Sequence, residues 1–210
     1  MKEKELLRLE KLKEIEQEIY TKNSDIKYIC GIDEAGRGPL AGPVVVACVI
    51  MPKNSIIEGV NDSKKVSEKK REELYDKILE EAISYGVGII EHHKIDEINI
   101  LNATKLGLTT ALKEMREKPN LILVDALERI DTLGIPYKSI IKGDALCYSI
   151  SCASIIAKVT RDRIMRQWDE VYPMYGFIKH KGYGTKAHID AIKKYGLCQI
   201  HRRSFTKNFV

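Results

Sequence analysis

The chain has 210 residues, 44% of them hydrophobic and 31% charged, with a formal net charge of +5 at pH 7. That length and balance suit one compact domain able to bury a core unaided, and they exclude a long disordered protein. No apolar run of about 20 residues occurs and charges interrupt the leucines of the N-terminus, so the expectation is a cytoplasmic protein without membrane span or signal peptide.

The five cysteines, Cys30, Cys48, Cys147, Cys152 and Cys198, are odd in number and contain no C-x-x-C pair, which argues for reduced thiols rather than a disulfide framework or a zinc site. The charge is uneven. Residues 137–210 hold 14 Lys and Arg against 5 Asp and Glu, an excess that suits a polyanionic partner.

In chain order, Leu6, Leu9, Leu12, Ile15 and Ile19 recur at helical spacing and predict an amphipathic helix over 3–20. With seven charges of each sign, residues 1–27 are no basic arm, and packing on the main body is the expected role. YICGID (28–33) and GPVVVACVI (42–50) read as buried strands joined by a Gly- and Pro-rich turn, hence a hairpin. After a loop over 51–66, Ser67 is placed to cap a charged helix running to about Tyr85. A strand over 86–91 follows, with His92 and His93 opening a loop, then a helix near 96–117. Strands are expected at 121–125 and 136–141, a long helix at 146–171 ending before Pro173, and a short helix at 187–195 before a basic tail. Three early strands followed by alternating helices and strands predict an α/β domain with a mixed sheet and helices on its faces.

Chemistry is signalled by acids in apolar settings. Asp33, followed by Glu34, ends one apolar strand and Asp125 ends another, the strand end being where α/β proteins gather functional groups. Asp162 lies in a helix of small and apolar residues, on one face with Ser154 and Lys158. Converging carboxylates repel unless cations neutralise them, and oxygen-only ligation favours Mg²⁺ or Mn²⁺. Neighbours on a regular strand point to opposite faces, so Asp33 and Glu34 are expected to share a site only if the strand ends or bulges at Glu34. Gly36-Arg37-Gly38, directly after the acid pair, lets backbone N–H groups cradle an anion. Lys142 and Lys158 are candidates to meet phosphates. Tyr183, between glycines and among basic residues, suits stacking on a sugar or base.

Taken in order, GIDEAGRGPLAGPV, DSKK at 62–65, Asp125 after its apolar strand, the 142–164 block with ASIIAKVTRD, HKGYGT and HRRSF resemble the bacterial ribonuclease HII family. The resemblance implies an RNase H-like fold, a mixed five-stranded sheet flanked by helices, with residues 1–27 as a helical extension. Residues 28–210 would form the catalytic domain and its basic C-terminal substrate-binding part. It implies endonucleolytic cleavage of RNA in RNA–DNA hybrids, and of duplex DNA 5′ of a single embedded ribonucleotide, leaving 3′-OH and 5′-phosphate ends. The four family acids map onto Asp33, Glu34, Asp125 and Asp162, holding Mn²⁺ or Mg²⁺. Gly36, Arg37 and Gly38 would meet the ribonucleotide's phosphate and 2′-OH, Tyr183 would stack on the neighbouring sugar, and Lys142 would contact a phosphate. Ala126 departs from the pattern where glycine is common, and Ser151 and Cys152 stand where alanines are usual.

The partners expected are therefore an RNA–DNA hybrid or a DNA duplex containing ribonucleotides. A monomer without membrane contact is expected, and the sequence leaves a replication-clamp contact open. Two other readings compete: a hybrid-binding module without catalysis, and a general DNA nuclease using the same acids.

Overall fold

The computed structural model describes residues 2–208. Five strands form one sheet in the order β3-β2-β1-β4-β5: β1 Ile29–Ala35, β2 Val44–Ile50, β3 Ser84–Ile90, β4 Leu121–Asp125 and β5 Tyr137–Ile140. The β1–β2 and β2–β3 pairs are antiparallel, whereas β1–β4 and β4–β5 are parallel. The sheet is thus mixed, as the alternation of elements predicts.

The helices are α1 Glu3–Lys22, α2 Glu68–Glu81, α3 His92–Ile98, α4 Ile100–Glu114, α5 Gly143–Leu146, α6 Tyr148–Val171, α7 Phe177–His180, α8 Lys186–Tyr195 and α9 Arg203–Thr206. Among the described residues, none is long and apolar enough to cross a membrane.

The apolar run of β2 has no polar alternation because it lies at the centre of a three-layer domain. Val45, Ala47 and Val49 pack under α1, α2 and α6, while Val46, Cys48 and Ile50 pack under α4. Helix α6 lies so close over β1 that a Cβ on Gly31 would sit 2.1 Å from the Ser149 backbone carbon, so only glycine admits the helix there. A satellite core of Leu40, Met165, Tyr175, Phe177, Ile192 and Ile200 joins the C-terminal helices to the β1–β2 turn.

Four boundaries differ from the sequence reading. The helix after Ser67 stops at Glu81, because Ile83 donates to Ile50 O and residues from Ser84 onward pair with β2. His92 opens a helix rather than a loop. The helix predicted near 96–117 is divided at Asn99, whose φ is +66° and whose side chain accepts the Asn102 N–H at 3.0 Å as a cap. The long helix starts at Tyr148, with α5 set off from it at the extended residue Cys147.

Helix α1 is bound into the body by two buried charges. Lys13 Nζ donates to the carbonyls of Lys53 (2.6 Å) and Ser55 (2.8 Å), and burial pulls its ammonium below the usual lysine range. Glu16 Oε1 accepts the Ser149 N–H at 2.7 Å and the Cys147 thiol at 3.1 Å, capping α6 with a carboxylate at its positive end. All five cysteines are free thiols.

Candidate nucleic-acid and metal site

The C-terminal ends of β1 and β4, the β1–β2 turn, the 61–66 loop and α6 enclose a cleft of about 200 Å³. Asp33, Glu34 and Asp125 line it, together with Gly36, Arg37, Gly38 and Tyr183. Of the site residues that the family resemblance implies, all but Asp162 and Lys142 therefore meet in one place.

Asp33 is 6% exposed and its Oδ1 accepts the Glu34 N–H at 2.8 Å. Burial, then the neighbouring Glu34 charge, pushes its carboxyl well above the usual range, while the Ser154 hydroxyl opposes the shift. Glu34 is raised by burial and restrained by Arg37, whose Nη1 stands 3.4 Å from Glu34 Oε1. Asp125 is raised by burial and by the charges of Asp144 and Asp62, against the Gly143 N–H that its Oδ1 accepts at 2.8 Å.

The strand neither ends nor bulges at Glu34, contrary to the sequence reading: Glu34 pairs with Val46 and Ala35 with Val45 in unbroken register. Both acids reach the cleft because the β4 partner is lost. The β1–β4 ladder ends at Ile32 and Val124, and the sheet opens beside Asp33 and Glu34. Ala126, the first residue after β4, turns the chain away at φ +45°, a left-handed conformation that explains why glycine suits this position.

Asp162 is not among the residues that line the cleft. Its Oδ1 accepts Lys158 Nζ at 2.6 Å and its Oδ2 lies 3.5 Å from Arg71 Nη2. Arg71 in turn donates to the carbonyls of Ser63 (3.0 Å) and Val66 (2.5 Å). Asp162 thus joins α6 to α2 and steadies the 61–66 loop. Of the carboxylates that act on Asp125, the larger effect comes from Asp144, 6% exposed, in the first turn of α5. Its Oδ2 accepts Lys64 Nζ at 3.1 Å, and Lys64 lines the cleft. The signal for Asp144 was present in the sequence: an acid directly after Lys142-Gly143, three residues beyond a predicted strand. Lys142 itself is exposed, outside the cleft, with φ +59° at the start of α5.

Ser154, Lys158 and Lys64 complete the wall, and the Ser154 hydroxyl donates to Ser63 Oγ at 2.8 Å. Tyr183 is 45% exposed, beside Gly38, where a Cβ would lie 3.6 Å from the ring.

The donor set is all oxygen and carries more buried negative charge than its lysines cancel, which fits Mg²⁺ or Mn²⁺. Among the described residues, no three His, Cys, Asp or Glu side chains are closed into a ready cage. An ion that keeps waters and takes oxygens from a phosphate needs no such cage.

Comparison with known proteins places the chain in a family. Residues 30–208 match the family model described as Ribonuclease HII. The chain is 56% identical over 208 residues to a ribonuclease HII of Acetivibrio thermocellus, covering 99% of this chain and 80% of the relative. Among solved structures it resembles the ribonuclease H2 of Pyrococcus horikoshii OT3, with a TM-score of 0.73 and 29% identity over 87% of this chain and 96% of that one. It also resembles the RNase HII in a PCNA:RNase HII complex from Archaeoglobus fulgidus, with a TM-score of 0.70 and 26% identity over 86% and 96% of the two chains.

Proposed function

The chain belongs to the ribonuclease HII family of endonucleases that act on RNA–DNA hybrids, and from that premise we propose that it also incises duplex DNA 5′ of a lone ribonucleotide, leaving 3′-OH and 5′-phosphate ends. The observation that carries this reading is the meeting of Asp33, Glu34 and Asp125 with Gly36–Gly38 and Tyr183 in a single cleft.

In this reading Asp33, Glu34, Asp125 and Asp144 hold Mg²⁺ or Mn²⁺, which supplies Lewis acidity at the scissile phosphate. The protein's own groups do the rest. The Arg37 and Gly38 N–H groups and the Arg37 guanidinium take the phosphate and the 2′-oxygen. A site that hydrogen-bonds this oxygen rejects deoxyribose, because its donors are then left unpaired. Tyr183 stacks on the adjoining sugar, Lys64 leaves Asp144 for a phosphate oxygen, and the exposed Lys142 meets the backbone nearby. The basic C-terminal third tracks the duplex. A replication-clamp contact belongs to the same proposal, supported by the PCNA:RNase HII complex of the Archaeoglobus protein.

Incubation of the protein with all-DNA, hybrid and single-ribonucleotide duplexes, in Mg²⁺, in Mn²⁺ and in EDTA, tests it. Cleavage of the two ribonucleotide-containing duplexes only, stopped by EDTA, is expected. Cleavage of all-DNA duplex, or an uncut single-ribonucleotide duplex, overturns the finer assignment.

A further inference from the structure

Arg161 and Arg202 are among the largest fully buried side chains, each 0% exposed. Among the described residues neither forms an ion pair with a carboxylate. A guanidinium out of water with no counter-ion is costly, and in both residues burial draws the group below its ordinary range, to about 10 for Arg161 and about 9 for Arg202. Such residues persist where every nitrogen of the group finds an acceptor.

Every acceptor is a main-chain carbonyl, and nearly all belong to the turn that carries the Gly36-Arg37-Gly38 segment. Arg202 donates to Gly36 O (2.6 Å), Arg37 O (3.0 Å), Gly42 O (2.9 Å) and Pro43 O (3.1 Å). Arg161 donates to Pro43 O (2.9 Å) and Ala41 O (3.0 Å), and its third donor goes to Lys181 O (2.8 Å), two residues before Tyr183. Gly36 makes room: a Cβ there would lie 2.1 Å from Arg161 Nε, and its φ is +99°.

Peptide geometry converts these bonds into an orientation. In a trans peptide the carbonyl of one residue and the N–H of the next point in opposite directions. The Gly36 and Arg37 carbonyls face the Arg202 guanidinium, so the Arg37 and Gly38 N–H groups face away from it. Among the described residues neither N–H has a protein acceptor, and both residues line the cleft. Two consecutive free N–H groups backed by buried positive charge form an anion-binding nest.

We propose that Arg161 and Arg202 are positioning residues for ribonucleotide recognition: Arg202 turns the Arg37 and Gly38 N–H groups toward the ribonucleotide's phosphate and 2′-oxygen, and Arg161 fixes the Tyr183 loop to the same turn. The inference rests on the reading of this cleft as a ribonucleotide site. Lysine keeps the charge but offers a point donor in place of a fork that spans several carbonyls, so Arg202→Lys and Arg161→Lys isolate the orienting role.

The test compares binding of a single-ribonucleotide duplex with an all-DNA duplex of the same sequence, in EDTA, by fluorescence anisotropy. It is run on the full chain at temperatures where melting shows each variant folded. A fall of roughly threefold to tenfold in the preference for the ribonucleotide is expected, the scale of a lost hydrogen bond to a neutral hydroxyl, beyond any loss that both duplexes share through the phosphate. A merely structural role would lower both affinities together through the folded fraction and leave their ratio alone. Folded variants with the wild-type ratio overturn the proposal. If neither lysine variant folds, amide NMR of the wild-type protein decides: the Arg37 and Gly38 N–H resonances must move more with the ribonucleotide duplex than with the all-DNA duplex, and their failure to move overturns it. A wild-type protein that shows no preference between the two duplexes overturns the reading of the cleft itself, and that result is distinct from a preference retained in the variants.

Discussion

Asp125 Oδ1 accepts the Gly143 N–H at 2.8 Å, and this bond ties the end of β4 to the first turn of α5. It fixes where Asp144 stands relative to Asp125, so that the two charges act on each other across the strand end. In the proposed reading of the cleft this junction, rather than the long helix, supplies the fourth acid.

Asp144 and Asp162 can be separated by the same substitution. Asp144→Asn is expected to lower kcat/KM for a single-ribonucleotide duplex by on the order of 10²-fold or more, as for loss of one preorganised electrostatic group, with little change in melting temperature. Asp162→Asn leaves Lys158 and Arg71 without their buried counter-charge. It is expected to destabilise by about 3 kcal/mol, the scale of breaking a buried pair, with the folded fraction still cutting. Parallel kinetics and thermal melts check both; a dead, fully stable Asp162→Asn protein would restore Asp162 to the chemistry.

Tyr183 is exposed above Gly38 and free to stack. Tyr183→Ala is expected to reduce kcat/KM at a lone ribonucleotide by roughly 10-fold or more, the scale of one lost stacking contact, and Tyr183→Phe to stay near wild type. Long RNA tracts should suffer less, because they offer many registers to the acids. Cleavage rates on the two substrates are the measurement, and equal losses on both would contradict the stacking role.

Much of this site was readable in the residues. An acid that ends an apolar strand announces itself, and so does a glycine pair after it; Asp33, Glu34, Asp125 and the Gly36–Gly38 turn needed no more than local pattern. The setting of Asp162 was not legible, because its surroundings, a helix of small residues with Lys158 one turn away, look the same whether the carboxylate faces substrate or a buried arginine. The decision lay with Arg71, distant in sequence. The shared face of Asp33 and Glu34 was also illegible, since it depends on where β4 stops rather than on β1 itself. The division of the helix near 96–117 at Asn99, and the start of α6 after Cys147, turned on single residues whose backbone tertiary packing sets.

Helix α1 is integral to the domain by its contacts. Glu16→Ala removes the acceptor for the Ser149 N–H at the start of α6 and is expected to lower stability by about 1–2 kcal/mol, the range of a lost helix cap. For a chain of this size that is a fall of roughly 2–8 °C in melting temperature. Calorimetry checks it. A protein lacking residues 1–27 should lose more, because Lys13, Leu9, Leu12 and Ile19 leave together; unchanged melting would make the helix a detachable appendage.

Acid should loosen the Tyr183 loop before it unfolds the sheet. His188 Nδ1 lies 2.9 Å from Tyr183 O and must donate to it, while His201 Nδ1 accepts the Cys198 N–H at 2.9 Å. The remaining nitrogens face each other at 3.0 Å, so His201 Nε2–H donates to His188 Nε2, and the chain closes only if both rings are neutral. Burial is the main cause that pushes both rings down to about 4 from an ordinary 6.5. Between those values the unfolded state binds protons that the folded state refuses, so this contribution is complete above about pH 6.5 and is lost as pH falls toward 4. The slope is at most ~1.4 kcal/mol per proton and pH unit. Asp33, raised in the fold, acts in the opposite sense and partly masks the effect. Melting curves from pH 7.5 to 4.5 should show a falling transition temperature in the wild-type protein and a flatter course in His201→Gln. A flat wild-type profile would mean that the two rings do not form this neutral pair.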